Sequence, residues 1–182
     1  AARLGCPLAV HGGGHWDLGM EAVNVGAVAN ALGHPVSIMI VLGNLVFNGL
    51  FDRYPDLRVC FLEGGVSWLL TALERFDRAA SSVVPFNPRQ ELLELPEGQT
   101  MRDYVIRLIR DQRIAVGMEG DEHDLPYALE CIGHQPFMFS SDFPHEVNAA
   151  LVSQEIQHVR DLDEDASAAI LGGNAARFFG IE

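Results

Sequence analysis

The chain has 182 residues, of which 48% are hydrophobic, so it is long enough for one domain with a sizeable core. Its formal net charge is −13, from 25 acidic residues against 12 lysines and arginines. This balance, without a basic run that could follow phosphates, argues against nucleic acid as a partner.

Cysteine usage and hydropathy predict the compartment. The 3 cysteines are far apart and odd in number, which is typical of core residues in a reducing compartment and not of a disulfide framework. No segment reaches the roughly 18 uncharged apolar residues of a membrane helix. The range 36–50 comes closest, but Ser37, Asn44 and Asn48 interrupt it. The first residues do not form a signal peptide, so we expect a cytoplasmic protein with no membrane partner.

Short apolar runs predict four buried strands, at 7–10, 58–62, 113–118 and 136–141. Apolar residues at helical spacing predict helices at 20–32, 36–51, 101–110, 125–132 and 147–159, one around Trp68, and short ones from 163 and after 174. The range 81–98 is rich in proline and predicts a surface excursion. Strands alternate with helices and no hairpin signal intervenes. This order predicts a parallel α/β sheet in one domain, residues 1–182.

An ionisable residue follows each predicted strand: His11, Glu63, Glu119 and Asp142. The carboxyl ends of parallel strands lie on one face, where the catalytic groups of α/β folds are found. A core alone gives no reason to place a histidine and three acids there, so the pattern predicts an active site. Taken by itself, Asp142 could equally cap the next helix.

The residue types at these strand ends predict a metal site. Imidazole together with carboxylate suits a divalent metal, with zinc expected first and manganese or iron as alternatives. A catalytic site of this kind needs about three protein ligands and a position left open for water. His11 and Asp142 are the predicted metal ligands. The remainder would come from Glu63 and Glu119, or from residues outside this chain.

Several motifs, in order along the chain, resemble a known family. They are VHG at 10–12, FDRYPDLR at 51–58, FLEGGVSW at 61–68, SSDFPH at 140–145 and ILGGNAAR at 170–177. In this combination the chain resembles the amidohydrolase-related family of metal-dependent (β/α)8 barrels. That family holds aminocarboxymuconate-semialdehyde decarboxylase and its relatives, as well as hydrolases. The resemblance covers nearly the whole chain.

The resemblance implies a place for each strand and for both metal ligands. It makes the four strands the fifth to eighth of a TIM barrel, so that this chain is the C-terminal half of a longer protein. Nothing in the chain corresponds to the H-x-H or E-x-H pair of the family's first strand. His11 matches the fifth-strand metal ligand, and Asp142 matches the eighth-strand acid that binds the metal and orients or deprotonates its water. We expect a homodimer in the full-length form.

One departure from the family pattern bears on the reaction. Several decarboxylases of the family carry a catalytic histidine at the end of the sixth strand, where this chain has Glu63. The proton donor is therefore open, with Glu63 as a candidate acid or base. The leading hypothesis is a hydrolase that acts on a small organic substrate through metal-activated water. The alternatives are non-oxidative decarboxylation of an aromatic or enoic carboxylic acid, and a catalytically silent half-barrel module.

Three further residues near the strand ends are weaker candidates. His15 lies in the loop after the first strand and could contact substrate, since loops at this face carry specificity. His145 could fix the carboxylate of Asp142, with a role at the start of a helix as the alternative. Glu119 could contact substrate, or it could cap the following helix together with Glu122.

Two more residues have a structural alternative that the sequence favours. Trp68 could line a pocket, but packing of its helix is the preferred interpretation. His34 precedes Pro35 and is therefore predicted at a helix boundary, with a pocket-facing position as the alternative.

Overall fold

The computed structural model describes residues 1–13, 19–82 and 93–181. Its strands are β1 (Leu8–His11), β2 (Val59–Leu62), β3 (Ile114–Met118) and β4 (Phe137–Phe139). Its helices are α1 (Gly26–Phe47), α2 (Leu50–Arg53), α3 (Ser67–Ser82), α4 (Met101–Arg110), α5 (Leu125–Ile132), α6 (Ala149–Arg160), α7 (Glu164–Ala168) and α8 (Asn174–Phe179). Short 3-10 turns lie at Ala2–Leu4 and Met20–Ala22, and a π-helical turn at Ala169–Gly173 joins α7 to α8.

The strands form one parallel sheet in chain order, β1-β2-β3-β4. Val10, Phe61, Val116 and Phe137 lie side by side across it. At least one helix lies between each pair of neighbouring strands, because parallel strands need a long crossover. The predicted parallel α/β fold is confirmed. Its aligned register brings the four carboxyl ends to one edge of the sheet.

The two faces of the sheet differ in what covers them. Strand side chains alternate between the faces, so Phe61 and Val116 lie under the helices while Cys60 and Ala115 point to the opposite side. There the small side chains pack against Phe178 of α8. Burial on both faces explains why β2 and β3 are continuous apolar runs and not alternating ones.

One long helix replaces two predicted ones. The sequence predicts helices at 20–32 and 36–51 with a boundary at Pro35, but α1 continues through this proline. A proline inside a helix removes one backbone hydrogen bond and disturbs the preceding turn. Burial of Ile38 and Leu42, one and two turns after the proline, compensates for that loss. The predicted boundary was therefore wrong.

The same helix bears on the membrane prediction. By length and composition α1 could cross a membrane, whereas the sequence analysis found no segment of that kind. A single helix of this type is weak evidence for a membrane span, because a mostly buried core helix can pass the same test; in α1, 22% of the apolar 18-residue window is buried. In this fold α1 packs on β1, β2 and α3.

Asn174 fixes β4 from the buried side of the sheet. Its side chain is only 3% exposed, and Nδ2 donates to the carbonyls of His134 at 2.7 Å and Phe137 at 2.8 Å. Asn174→Ala would leave both carbonyls without this donor, so we expect the free energy of unfolding to fall by about 1–3 kcal/mol in urea denaturation. The control Asn44→Ala, on an exposed part of α1, should change it by no more than about 0.5 kcal/mol. Equal effects of the two variants would contradict this role.

Candidate active site

The predicted strand-end residues converge at the carboxyl edge of the sheet. His11 is the last residue of β1, Glu63 and Glu119 directly follow β2 and β3, and Asp142 comes shortly after β4. Glu63, Glu119 and Asp142 line two adjacent cavities of about 300 and 310 Å³. Glu122 contributes to the wall of the first cavity and His34 to that of the second. These acids therefore share one space.

Glu63 lies between two histidines. Its Oε1 is 2.7 Å from Nε2 of His11, and its Oε2 is 3.0 Å from Nδ1 of His34. Nδ1 of His34 is also 3.1 Å from the backbone carbonyl of Glu63. Both of these partners are acceptors, so the proton of His34 must lie on Nδ1. The arrangement holds the Glu63 carboxylate by both oxygens.

His34 is a site residue for which the sequence favoured a helix boundary and left a pocket-facing position as the alternative. The local effect of Pro35 predicted a helix boundary, yet His34 lies within α1 with its ring against Glu63. A usable signal was present, since His34, Ile38 and Leu42 are spaced by four residues. Helical periodicity continued through the proline would place the imidazole on the sheet-facing side.

The backbone is left-handed at two of the acids. The φ angle is 58° at Glu63 and 53° at Asp142. This region is uncommon for residues other than glycine and costs on the order of 1–3 kcal/mol unless the surroundings hold it, and such residues cluster at functional sites. Aspartate tolerates it better than glutamate. The conformation at Glu63 is thus maintained by its contacts.

Asp142 and His145 form a close pair, which is one of the two alternatives that the sequence left open for His145. Oδ1 of Asp142 is 3.2 Å from Nδ1 of His145. One ligand atom from each of Glu63, Asp142 and His145 lies within 4.8 Å of the other two, close enough to share a metal ion. His11, the other predicted ligand, contacts this group through Glu63. Two carboxylates and an imidazole are a donor set that fits a divalent metal.

The negative charge of this edge makes a cation favourable there. Burial raises the pKa of Glu119, and the charges of Asp121, Asp142 and Glu63 raise it further. The pKa of Glu155 on α6 is also raised, first by burial and then by neighbouring acids. Acids that repel one another at a strand edge are stabilised when a cation comes between them.

The His11 imidazole gives a test of the Glu63 contact. The Gly12 carbonyl raises the pKa of His11 above 6.5, burial opposes this shift, and the charge of Glu63 adds to it. In NMR titration with a chelator present we expect Glu63→Gln to lower this pKa, and the control Glu130→Gln, an exposed acid on α5, to leave it unchanged. Because the pKa of His11 is higher in the folded state, its contacts contribute to the free energy of unfolding below pH 6.5. This contribution disappears as the pH rises through the folded-state pKa. No difference between the two variants would contradict the contact.

Three remaining predictions have different outcomes. His15 lies outside the described residues. Trp68 is 3% exposed with its ring centroid 5.3 Å from that of Phe61, so it packs its helix and lines neither cavity described above. Glu122 does not cap the following helix; its carboxylate accepts from the backbone amides of Val66 and Glu119. The sequence offered no signal for that arrangement.

Comparison with known proteins identifies relatives of this chain. The chain is 26% identical over 151 residues to the 2-amino-3-carboxymuconate-6-semialdehyde decarboxylase of Dictyostelium discoideum, covering 83% of this chain and 39% of the relative. The 5-carboxyvanillate decarboxylase from Sphingomonas paucimobilis has a similar structure, with a TM-score of 0.75, 24% identity, and coverage of 100% of this chain and 51% of that one.

A second solved structure contains a metal. The 5-carboxyvanillate decarboxylase from Novosphingobium aromaticivorans, complexed with manganese and 4-hydroxy-3-methoxy-5-nitrobenzoic acid, has a TM-score of 0.72 and 18% identity, covering 98% of this chain and 49% of that one. The chain thus spans about half the length of these structures, and less of the Dictyostelium relative. The model of one family, described as Amidohydrolase, matches residues 1–181. Because this match extends over almost the entire chain, the protein belongs to the amidohydrolase family.

Proposed function

We propose that this protein is a metal-dependent decarboxylase that acts on a small aromatic or enoic carboxylic acid. The observation that carries the proposal is the group formed by Glu63, Asp142 and His145 at the strand ends. Support comes from the relatives, several of which are decarboxylases. They favour this alternative over the hydrolase that the sequence analysis preferred.

We also infer that β1 to β4 are the fifth to eighth strands of an eight-stranded barrel. The parallel order β1-β2-β3-β4 with helical crossovers supports this, as does the coverage of about half of the similar structures. β1 lies at the edge of the sheet, where its outer backbone groups can pair with a further strand. The inference predicts that the protein from its natural source has about twice the 19.9 kDa mass of this chain. Intact-mass spectrometry tests it, and a mass of 19.9 kDa would contradict it.

The metal would be held by His11 and Asp142, with Glu63 and His145 close enough to contribute. A divalent ion supplies positive charge that orients the substrate carboxylate and stabilises the charge that develops on the substrate. The cavity wall of Glu63, Glu119, Glu122 and Asp142 would otherwise repel a carboxylate. Substrate binding should therefore depend on the metal, for which manganese and zinc are the ions to test.

The residues of the chain then have distinct roles. His145 orients the carboxylate of Asp142. In decarboxylation the bond between the carboxyl group and the substrate carbon breaks, carbon dioxide leaves, and the electron pair on that carbon takes a proton. We assign delivery of this proton to Glu63, which His34 holds in place at Oε2; the contact of Oε1 with Nε2 of His11 would be given up where His11 binds the metal. A protonated carboxyl group at this position would act as the general acid.

Hydrolysis remains the second candidate because of one residue. Glu63 occupies the position at which the family resemblance implies a histidine in several decarboxylases. A carboxylate there could instead accept a proton from a water molecule that attacks the substrate. The two reactions differ in their products, since only hydrolysis incorporates an oxygen atom from water into the organic product.

The test measures products from a panel of hydroxybenzoic and enoic acids, with the full-length protein inferred above loaded with Mn²⁺ or Zn²⁺. Decarboxylation predicts release of carbon dioxide and, in D2O, one deuterium in the product at the carbon that lost the carboxyl group. Chelator-treated protein should be inactive. Incorporation of oxygen from labelled water without release of carbon dioxide would favour the hydrolase, and no reaction would favour the silent module.

A further inference from the structure

The carboxylate of Glu122 joins two loops of the candidate site. Oε2 accepts from the backbone N–H of Val66 at 2.6 Å, and Oε1 accepts from that of Glu119 at 3.0 Å. Val66 lies in the turn between β2 and α3, three residues after Glu63, and Glu119 directly follows β3. One side chain thus ties the turn that carries Glu63 to the loop that carries Glu119.

The surroundings of this carboxylate are closely fitted. Gly65 has a φ of 68°, and a Cβ at this position would lie 2.8 Å from Oε2 of Glu122. A larger residue would therefore be strained and would also push against the carboxylate. On the exposed side of the same two segments, the hydroxyl of Ser67 donates to Oδ2 of Asp124. The turn and the loop are linked twice, and Glu122 makes the inner link.

The Glu122 carboxylate that makes this inner link is largely removed from solvent. Burial raises the pKa of Glu122 to about 7, the two amide donors oppose this shift, and the charges of Glu119 and Asp121 add to it. A carboxylate that is removed from water is stabilised by the protein donors that take the place of the water molecules. Hydrogen bonds to a charged acceptor are about twice as strong as those between neutral groups. The two amides are thus the groups that compensate the buried charge.

We propose that Glu122 is a positioning residue, which holds the β2–α3 turn so that the left-handed Glu63 presents its carboxylate to His34 and to the cavity. Glu122 acts through backbone amides and not on substrate. Its effect on turnover rests on the proposed function, because Glu63 must take part in that reaction. Its effect on the position of Glu63 does not.

The experiment compares Glu122→Gln with Asp121→Asn in the full chain. The glutamine keeps the size of the side chain but turns one acceptor into a donor that faces an amide donor, whereas Asp121 is exposed and one residue away. Amide hydrogen exchange by NMR reports the two contacts. The ring ¹⁵N signals of His34 report whether Glu63 has moved, since Nδ1 of His34 contacts Glu63 through both its carboxylate and its carbonyl.

We expect Glu122→Gln, which keeps one acceptor, to speed exchange at the Val66 or the Glu119 amide by about 10- to 100-fold, as follows from leaving one of the two donors unpaired, and to shift the His34 signals. Asp121→Asn should change exchange by no more than about 3-fold, which is the size of surface effects. Glu122→Asp, with the charge kept and the reach shortened, should behave like Glu122→Gln, and it serves as the second variant if the glutamine form does not fold.

Two results would overturn the proposal. One is unchanged exchange in Glu122→Gln and Glu122→Asp, which would mean that the carboxylate does not hold the loops. The other is faster exchange with unchanged His34 signals, which would mean that the link does not position Glu63. Decarboxylation is measured for the same substitutions in the full-length protein. A wild-type full-length protein without turnover would refute the proposed function, while the NMR result would still decide the role of Glu122.

Discussion

Asp142→Asn is expected to abolish turnover with the fold intact. General acid–base and ligand groups of this kind contribute about 10²- to 10⁴-fold to rate, and we expect a loss in that range. The carboxylate is proposed to bind the metal and is paired with His145. The asparagine amide is a poor metal ligand, and its NH2 group would place a hydrogen-bond donor near the imidazole ring of His145. The affinity for Mn²⁺, measured by calorimetry, should fall at least about 10-fold.

Asp142→Asn should leave the backbone conformation and its hydrogen bonds unchanged. The φ of Asp142 is 53°, a conformation that asparagine tolerates as well as aspartate does. The backbone carbonyl of Asp142 accepts from the N–H groups of His145 and Glu146, and these contacts do not involve the substituted atoms. Asp121→Asn is the control, an exposed position in the neighbouring loop. Full activity in Asp142→Asn would reject the proposed site.

Glu63→Gln is expected to lower kcat by about 10²- to 10⁴-fold, the contribution of a general acid or base. An amide cannot carry the proton that replaces the lost carboxyl group. It also offers a single oxygen, whereas the Glu63 carboxyl group contacts His11 with one oxygen and His34 with the other. Because the assigned role is proton transfer, KM should change by no more than about 3-fold, and Mn²⁺ affinity, to which the nearby Glu63 carboxylate can contribute, should fall by less than 10-fold, or about 1.4 kcal/mol.

His34→Gln separates proton delivery from positioning at Glu63. This variant removes the contact at Oε2 but keeps the carboxyl group, so we expect a smaller loss of kcat, on the order of 10-fold. Deuterium uptake into the product should slow in parallel with kcat in both variants. If Glu63→Gln instead lost Mn²⁺ affinity by 10-fold or more, about 1.4 kcal/mol, Glu63 would be a metal ligand and the proton would have another source.

Much of the candidate site could be predicted from local patterns. Each apolar strand ends in an ionisable residue, and parallel strands must bring their carboxyl ends to one edge, so Glu63, Glu119 and Asp142 could be placed together from the sequence. The alternation of strands and helices likewise indicated the parallel α/β fold. These features depend on which segments are buried and on the direction of the strands. The spacing of apolar residues indicates the first, and the alternation of strands and helices indicates the second.

The contacts that organise the site depended on tertiary packing. Pro35 predicted a helix boundary, and only the burial of α1 on the sheet keeps the helix continuous and turns His34 toward Glu63. One of the two amides that Glu122 accepts from, that of Val66, is 56 residues away, and His11 is 52 residues from the carboxylate that it contacts. Periodicity within one element determines which of its faces is buried, but which loops meet depends on how separate elements pack. The sequence therefore identified the acids at the sheet edge, and the packing of α1 and of the β3–α5 loop decided which groups hold them.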